Sequence, residues 1–180
     1  MTAEIFTIGH SNFTIEDLVQ RLQGHQVRLV CDVRAKPRSR RNPQFHRAKL
    51  SAELANYGID YQWYGKDLGG FRTSKADSPH AALAGTIQGF ADHMDTENFA
   101  NTLAELLART HGRITALMCA EADHQQCHRR LISDYLTHRL NIAVQHIVGP
   151  RQAIEHQLSD ALDCGQIPGV YNRLSQMSLF

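Results

Sequence analysis

Acidic residues are missing from the stretch between Asp32 and Glu53, where Arg34, Lys36, Arg38, Arg40, Arg41, Arg47 and Lys49 stand. Seven of the 19 Lys and Arg therefore crowd into one segment with no local counter-charge, although the whole chain carries only +1. Such a segment is either a solvated loop or a surface for a polyanion. Cysteine is scarce: there are four (Cys31, Cys119, Cys127, Cys164), with no Cys-x-x-Cys pair among them. That argues against a disulfide framework and leaves thiol chemistry or metal ligation. Long apolar runs are absent too, and none approaches the roughly 20 residues that a membrane-spanning helix requires. The first residues, Met1-Thr-Ala-Glu-Ile-Phe-Thr-Ile, lack the basic start and apolar stretch of an export signal. The expectation is a cytoplasmic protein with reduced thiols. No internal repeat or low-complexity segment is visible, and 180 residues suit one domain with its own core.

Strand and helix patterns alternate along the chain. Ile5–Ile8, Val27–Val33, Ile59–Tyr64, Ile114–Cys119 and Val144–Val148 are short apolar or β-branched runs and read as five strands. Ile15, Leu18, Val19 and Leu22 share a helical face behind a Thr14 cap, and Leu50, Leu54 and Tyr57 share another. Residues 65–80 read as a long loop. Further helices are expected around Leu83–Phe90, along Phe99, Leu103, Leu106 and Leu107, over Arg129–Leu140, and over Gln152–Leu162. Apolar strands alternating with helices imply a three-layer, Rossmann-like α/β domain with a mostly parallel five-stranded sheet. The domain is expected to span residues 1–162, followed by a tail, 163–180.

Open α/β sheets bind ligands beyond the carboxyl ends of their strands. His10 and Ser11 follow the first strand, Asp32 and Arg34 end the second, and Cys119 and Glu121 end the fourth. Cys127, His128 and Arg129 open the next helix, where amide donors and cations stabilise a thiolate or hold an anion. His10, Asp32, Cys119, Glu121, Cys127 and His128 are thus the candidate catalytic groups. Ser11, Arg34, Arg38, Arg40, Arg41 and Arg129 are the candidate phosphate or nucleic-acid contacts. Against this stands the plainer possibility that Cys119 and Cys127 merely pack a strand end against a helix.

Sharper chemistries meet obstacles in the spacing. A zinc set of Cys119, His124, Cys127 and His128 lacks the paired spacing of structural sites. Cys119-Ala-Glu121 is similar to half of a zinc deaminase motif, but no Pro-Cys-x-x-Cys follows. A phosphatase cysteine needs an arginine six residues on, where Gln125 and Ser133 stand. A rhodanese-like layout fits Cys31-Asp-Val-Arg34 and Cys119, yet the first arginine after Cys119 is ten residues away.

Several short blocks occur in order: Thr7-Ile-Gly-His-Ser11, Asp32-Val-Arg34 with Pro37, Ser39 and Arg40, Gly58-Ile-x-Tyr61, Leu68-Gly-Gly70, and Cys119-x-Glu121 with Cys127-His-Arg129. Together they resemble the domain of unknown function 488 family. The resemblance runs from about residue 5 to 150 and implies a Rossmann-like domain, with no established reaction and no known cofactor.

Gln176-Met-Ser-Leu179-Phe180 resembles the peptide by which bacterial polymerases and repair proteins dock on the replicative sliding clamp. Gln176, Leu179 and Phe180 are its candidate contacts, and the clamp a candidate partner. With the basic segment, this gives as leading expectation a DNA-associated enzyme, of the repair type, acting on DNA or a nucleotide. The alternatives are a non-catalytic nucleic-acid-binding module and a rhodanese-like thiol enzyme acting on a small molecule.

Overall fold

A computed structural model describes residues 5–165 and 169–172. The order of elements is β1 (Ile5–Gly9), α1 (Ile15–Gly24), β2 (Leu29–Asp32), α2 (Arg47–Asn56), β3 (Asp60–Trp63), α3 (Gly65–Leu68), α4 (Gly85–Met94), α5 (Glu97–Thr110), β4 (Thr115–Cys119), α6 (Arg129–Leu140), β5 (Val144–Gly149), β6 (Gln152–Glu155), β7 (Leu162–Asp163) and β8 (Val170–Tyr171). Short 3-10 turns at Pro43–Phe45 and His124–Gln126 precede α2 and α6.

Strands β1 to β6 form one sheet in the order β3-β2-β4-β1-β5-β6, parallel throughout except for β6. Period-two alternation splits the core into two layers. Ile5, Leu29, Cys31, Leu117 and Cys119 face α4, α5 and α6, whereas Phe6, Ile8, Val30, Ala116 and Met118 face α1 and α2. Helix α1 starts where Thr14 Oγ1 accepts the Asp17 amide at 3.1 Å, and it buries Ile15, Leu18, Val19 and Leu22. In α5 the Thr96 hydroxyl accepts the Phe99 amide, and Phe99, Leu103 and Leu106 form its inner stripe. The result is the expected Rossmann-like α/β architecture with helices on both faces of a mostly parallel sheet.

Two expectations need correction. The sheet has six strands, because the helix expected over Gln152–Leu162 is replaced at its start by β6, antiparallel to β5. Glutamine and glutamate favour a helix there, but Pro150 and Arg151 form a tight connection that folds the chain straight back onto β5. Burying His156 beside His146 secures that return. Past Leu162, β7 and β8 pair, and the buried Tyr171 donates its hydroxyl to Asp134 in α6 at 2.9 Å. Packed structure therefore extends beyond Leu162. No helix of the described residues is long and apolar enough to cross a membrane.

Candidate active site at the strand ends

The carboxyl ends of β1, β2 and β4 open onto a cavity of about 1030 Å³, lined by His10, Ser11, Arg34, Cys119, Glu121, Cys127 and His128, with Arg38 and Arg41 on its basic wall. Those nine sequence candidates are therefore brought together. Asp32 lies behind the cavity, wholly buried, and Arg129 is buried as well. Arg40 faces a neighbouring groove instead. Gln176, Leu179 and Phe180 lie outside the described residues.

An ion pair forms the cavity's inner wall. Asp32 Oδ1 accepts from Arg34 Nε at 2.9 Å and Oδ2 from Nη2 at 2.6 Å, a bidentate arrangement. Tyr61 adds its hydroxyl to Oδ2 at 2.5 Å, and the Arg34 amide adds a bond to Oδ1. Burial works against the Arg34 charge, but Asp32 outweighs it and raises the guanidinium's pKa further. Tyr61 is pushed up by burial and by the Asp32 charge, so its proton stays in place.

His10 completes this wall. Its Nδ1 donates to the Ser11 carbonyl at 2.9 Å, and its Nε2 accepts from Arg34 Nη1 at 3.1 Å, since a guanidinium can only donate. Burial, then the Arg34 charge, lowers its pKa to about 4. The ring stacks on Phe45 at 4.1 Å. Neutral and engaged at both nitrogens, His10 is a positioning group for Arg34 in this arrangement.

The second half of the site is a sulfur–imidazole cluster. His128 Nε2 lies 3.2 Å from the Val33 carbonyl and 3.0 Å from that of Leu68, both acceptors. Nε2 therefore carries the hydrogen, and Nδ1 faces Cys127 Sγ at 3.6 Å and Cys119 Sγ at 3.9 Å. Gly70 makes room for this ring: a Cβ there would come within 2.7 Å of His128 Cγ and Nδ1. Cys127 Sγ also accepts from the Arg129 amide at 3.5 Å and from Arg129 Nε at 3.4 Å. The hydrogen bond from Cys119 lowers the Cys127 pKa against the opposing effect of burial, helped by the Arg129 charge, while the same bond and burial raise that of Cys119. Cys127 is thus the more acidic thiol of the pair. By contrast Cys31, inside the sheet, is pushed up to about 12 by burial and is chemically inert.

Arg129 is an internal clamp. Nη1 donates to Thr7 Oγ1 at 3.1 Å and Nη2 to the Glu121 carbonyl at 2.6 Å. Gly9 permits this approach, because a Cβ there would stand 1.8 Å from the Glu121 oxygen. Thr7 continues to His146 at 2.7 Å, His146 to His156 at 3.0 Å, and His156 to Asp134 at 2.9 Å. Sequence reasoning missed this chain. Its one available signal was a histidine inside the apolar run of β5, where a buried polar group must find partners. His124, weighed as a zinc ligand, instead stacks on His146 at 3.6 Å.

The basic loop is ordered but electrically open. Phe45 anchors it in the core, Gln44 donates to the Phe13 carbonyl at 2.8 Å, and the Trp63 indole donates to the Arg34 carbonyl at 2.9 Å. Yet among the described residues Lys36, Arg38, Arg40 and Arg41 form no ion pair.

Fold and site together define an α/β domain with a thiol–imidazole cluster and a paired arginine under a cationic wall. The chain belongs to the family described as Domain of unknown function DUF488, whose sequence profile matches residues 14–136. That span holds the Asp32, Gly58, Leu68 and Cys119 blocks; the Thr7–Ser11 block precedes it. No curated protein and no solved structure matches the chain.

Proposed function

We propose that the protein is a DNA-associated enzyme, of the repair type, that admits one unpaired nucleotide into the strand-end cavity while the basic loop holds the flanking phosphates. One observation carries this reading. The cavity adjoins a second groove of about 1250 Å³, and both share Ala35, Lys36 and Arg38 as a common ridge. Arg40 and Arg47 line the groove and Arg41 the cavity, while Glu121 is, among the described residues, the single carboxylate on either surface. A continuous cationic track with the reactive cluster at its inner end suits a polyanion threading through both spaces better than a small ligand. Phe71, exposed at the cavity, offers a face for base stacking. A duplex is too wide for such a cavity, so an extruded or single-stranded nucleotide is the form it admits.

Fluorescence anisotropy with a short single-stranded oligodeoxynucleotide, titrated at several salt concentrations, tests the reading. Affinity is expected to fall steeply with salt, and Arg38→Ala and Arg41→Ala should each flatten the log–log slope by about 0.7. They should weaken binding alike across sequences, because phosphate contacts carry no sequence information. Salt-independent or undetectable binding at low salt contradicts the proposal.

A further inference from the structure

We infer that Cys119, Cys127 and His128 form a binding site for a single thiophilic divalent cation, zinc by its chemistry, with the fourth coordination position open to the strand-end cavity. The inference deepens the reading above by naming a cofactor for the same site, but its geometry stands apart from any nucleic-acid contact.

The donor atoms of the three residues lie within 4.8 Å of one another, and all three side chains are buried. A tetrahedral zinc ion at the usual bond lengths sets N···S edges of about 3.6 Å. The observed separation to Cys127 is 3.6 Å, equal to that edge, and that to Cys119 is 3.9 Å, slightly longer.

The imidazole is prepared in the manner of a metal ligand. Two backbone carbonyls take the Nε2 hydrogen, which fixes the tautomer and directs the Nδ1 lone pair at the two sulfurs. These carbonyls come from Val33 and Leu68, so the ring is held by two elements besides its own. Gly70 leaves the space that this orientation requires. The sulfurs are supported too: Arg129 supplies two N–H donors to Cys127 Sγ, the outer-shell contacts that metal thiolates commonly accept. Two thiolates neutralise the charge of one divalent ion.

Coordination by two cysteines and one histidine leaves a fourth position, the arrangement of catalytic rather than structural zinc. Cys119, Cys127 and His128 all line the cavity, so that position faces the space assigned to the nucleotide. Glu121 lines the same cavity two residues beyond Cys119. His124 is absent from the set, its ring being stacked against His146. The site is thus a three-ligand centre, which the missing Cys-x-x-Cys spacing does not forbid.

The test is metal analysis and cobalt(II) titration of the reduced, full-length chain. The expected result is one equivalent of tightly held zinc and, on cobalt substitution, visible bands of tetrahedral coordination with a thiolate charge-transfer band. Cys127→Ser and His128→Gln should each weaken cobalt affinity by more than about tenfold, as loss of a ligand exceeds the cost of losing an outer-shell contact. If either variant fails to fold by circular dichroism, the wild-type titration alone decides. A wild-type chain with far less than one equivalent of zinc and no charge-transfer band overturns the inference. Oligonucleotide binding without metal would sink this inference and leave the nucleic-acid reading standing; metal without oligonucleotide binding would do the reverse.

Discussion

Asp32 is the residue on which the inner wall of the site rests. It is wholly buried, and the Arg34 guanidinium, the Arg34 amide and the Tyr61 hydroxyl satisfy its lone pairs. Removing one partner of such a pair leaves a buried charge without compensation, which costs about 3–5 kcal/mol. Asp32→Ala should therefore lower stability by that amount in urea denaturation, whereas Tyr61→Phe, which removes one bond to a charged acceptor, should cost about 1.5–3 kcal/mol. A change below about 1 kcal/mol for Asp32→Ala would mean that water reaches the pair. His146 gives a second residue-scale expectation. Burial, then the charge tendencies of His124, His156 and Arg129 around it, lowers its pKa from 6.5 to about 3. The unfolded chain then binds the proton between those values and the folded chain does not, so stability falls as pH drops through that window. The loss from His146 alone is about 2 kcal/mol at pH 5 relative to pH 7. Thr7, His124, His156 and Arg129 are the groups that face it from β1, the turn before α6, the segment after β6, and α6. His146→Gln should give a shallower decline between pH 7 and pH 5; an unchanged decline would assign the effect to other groups, His10 first among them.

At the scale of elements, the end of β1 is a tight junction. Gly9 pairs with Cys119 in the β1–β4 register, and it sits beneath the Glu121 carbonyl and the Arg129 guanidinium. A methyl group there would overlap the Glu121 oxygen, so Gly9→Ala must displace the loop that carries Glu121. Thermal melting should show destabilisation of about 1–3 kcal/mol, and a neutral outcome would mean that the loop moves freely. The same junction explains what the sequence could reveal. Strand ends, helix stripes and the convergence of His10, Cys119 and Cys127 follow from period and topology, which are local and regular. The partners of Arg34 and Arg129 do not: both look like phosphate contacts by charge, but Asp32 saturates the first and Thr7, Cys127 and the Glu121 carbonyl surround the second. Charge alone does not reveal which cations are already paired inside the fold. The β6 return was hidden for a related reason, since helix-favouring Gln152 and Glu155 yield to a turn whose value lies in tertiary pairing.

For the whole molecule, charge is divided by location rather than by amount. Of the cations in the acid-free segment, Arg34 is neutralised within, while Lys36 and Arg38 lie on the ridge shared by the two openings, Arg40 on the groove and Arg41 on the cavity. We propose, independently of the cavity, that Gln176–Phe180 dock on a replicative sliding clamp. Deleting Gln176–Phe180 should leave the thermal transition unchanged and abolish binding to the clamp in calorimetry; equal clamp binding by both chains would reject the tail as the contact, and no heat with the full chain would reject the partner. The central claim, that nucleic acid enters the strand-end cavity along the basic loop, is tested most directly by solving the structure with a short single-stranded oligodeoxynucleotide bound. The expected result places phosphates among Lys36, Arg38 and Arg41 and one nucleotide beside Cys119, Cys127 and His128. An oligonucleotide bound elsewhere, with the cavity free of it, would contradict the account.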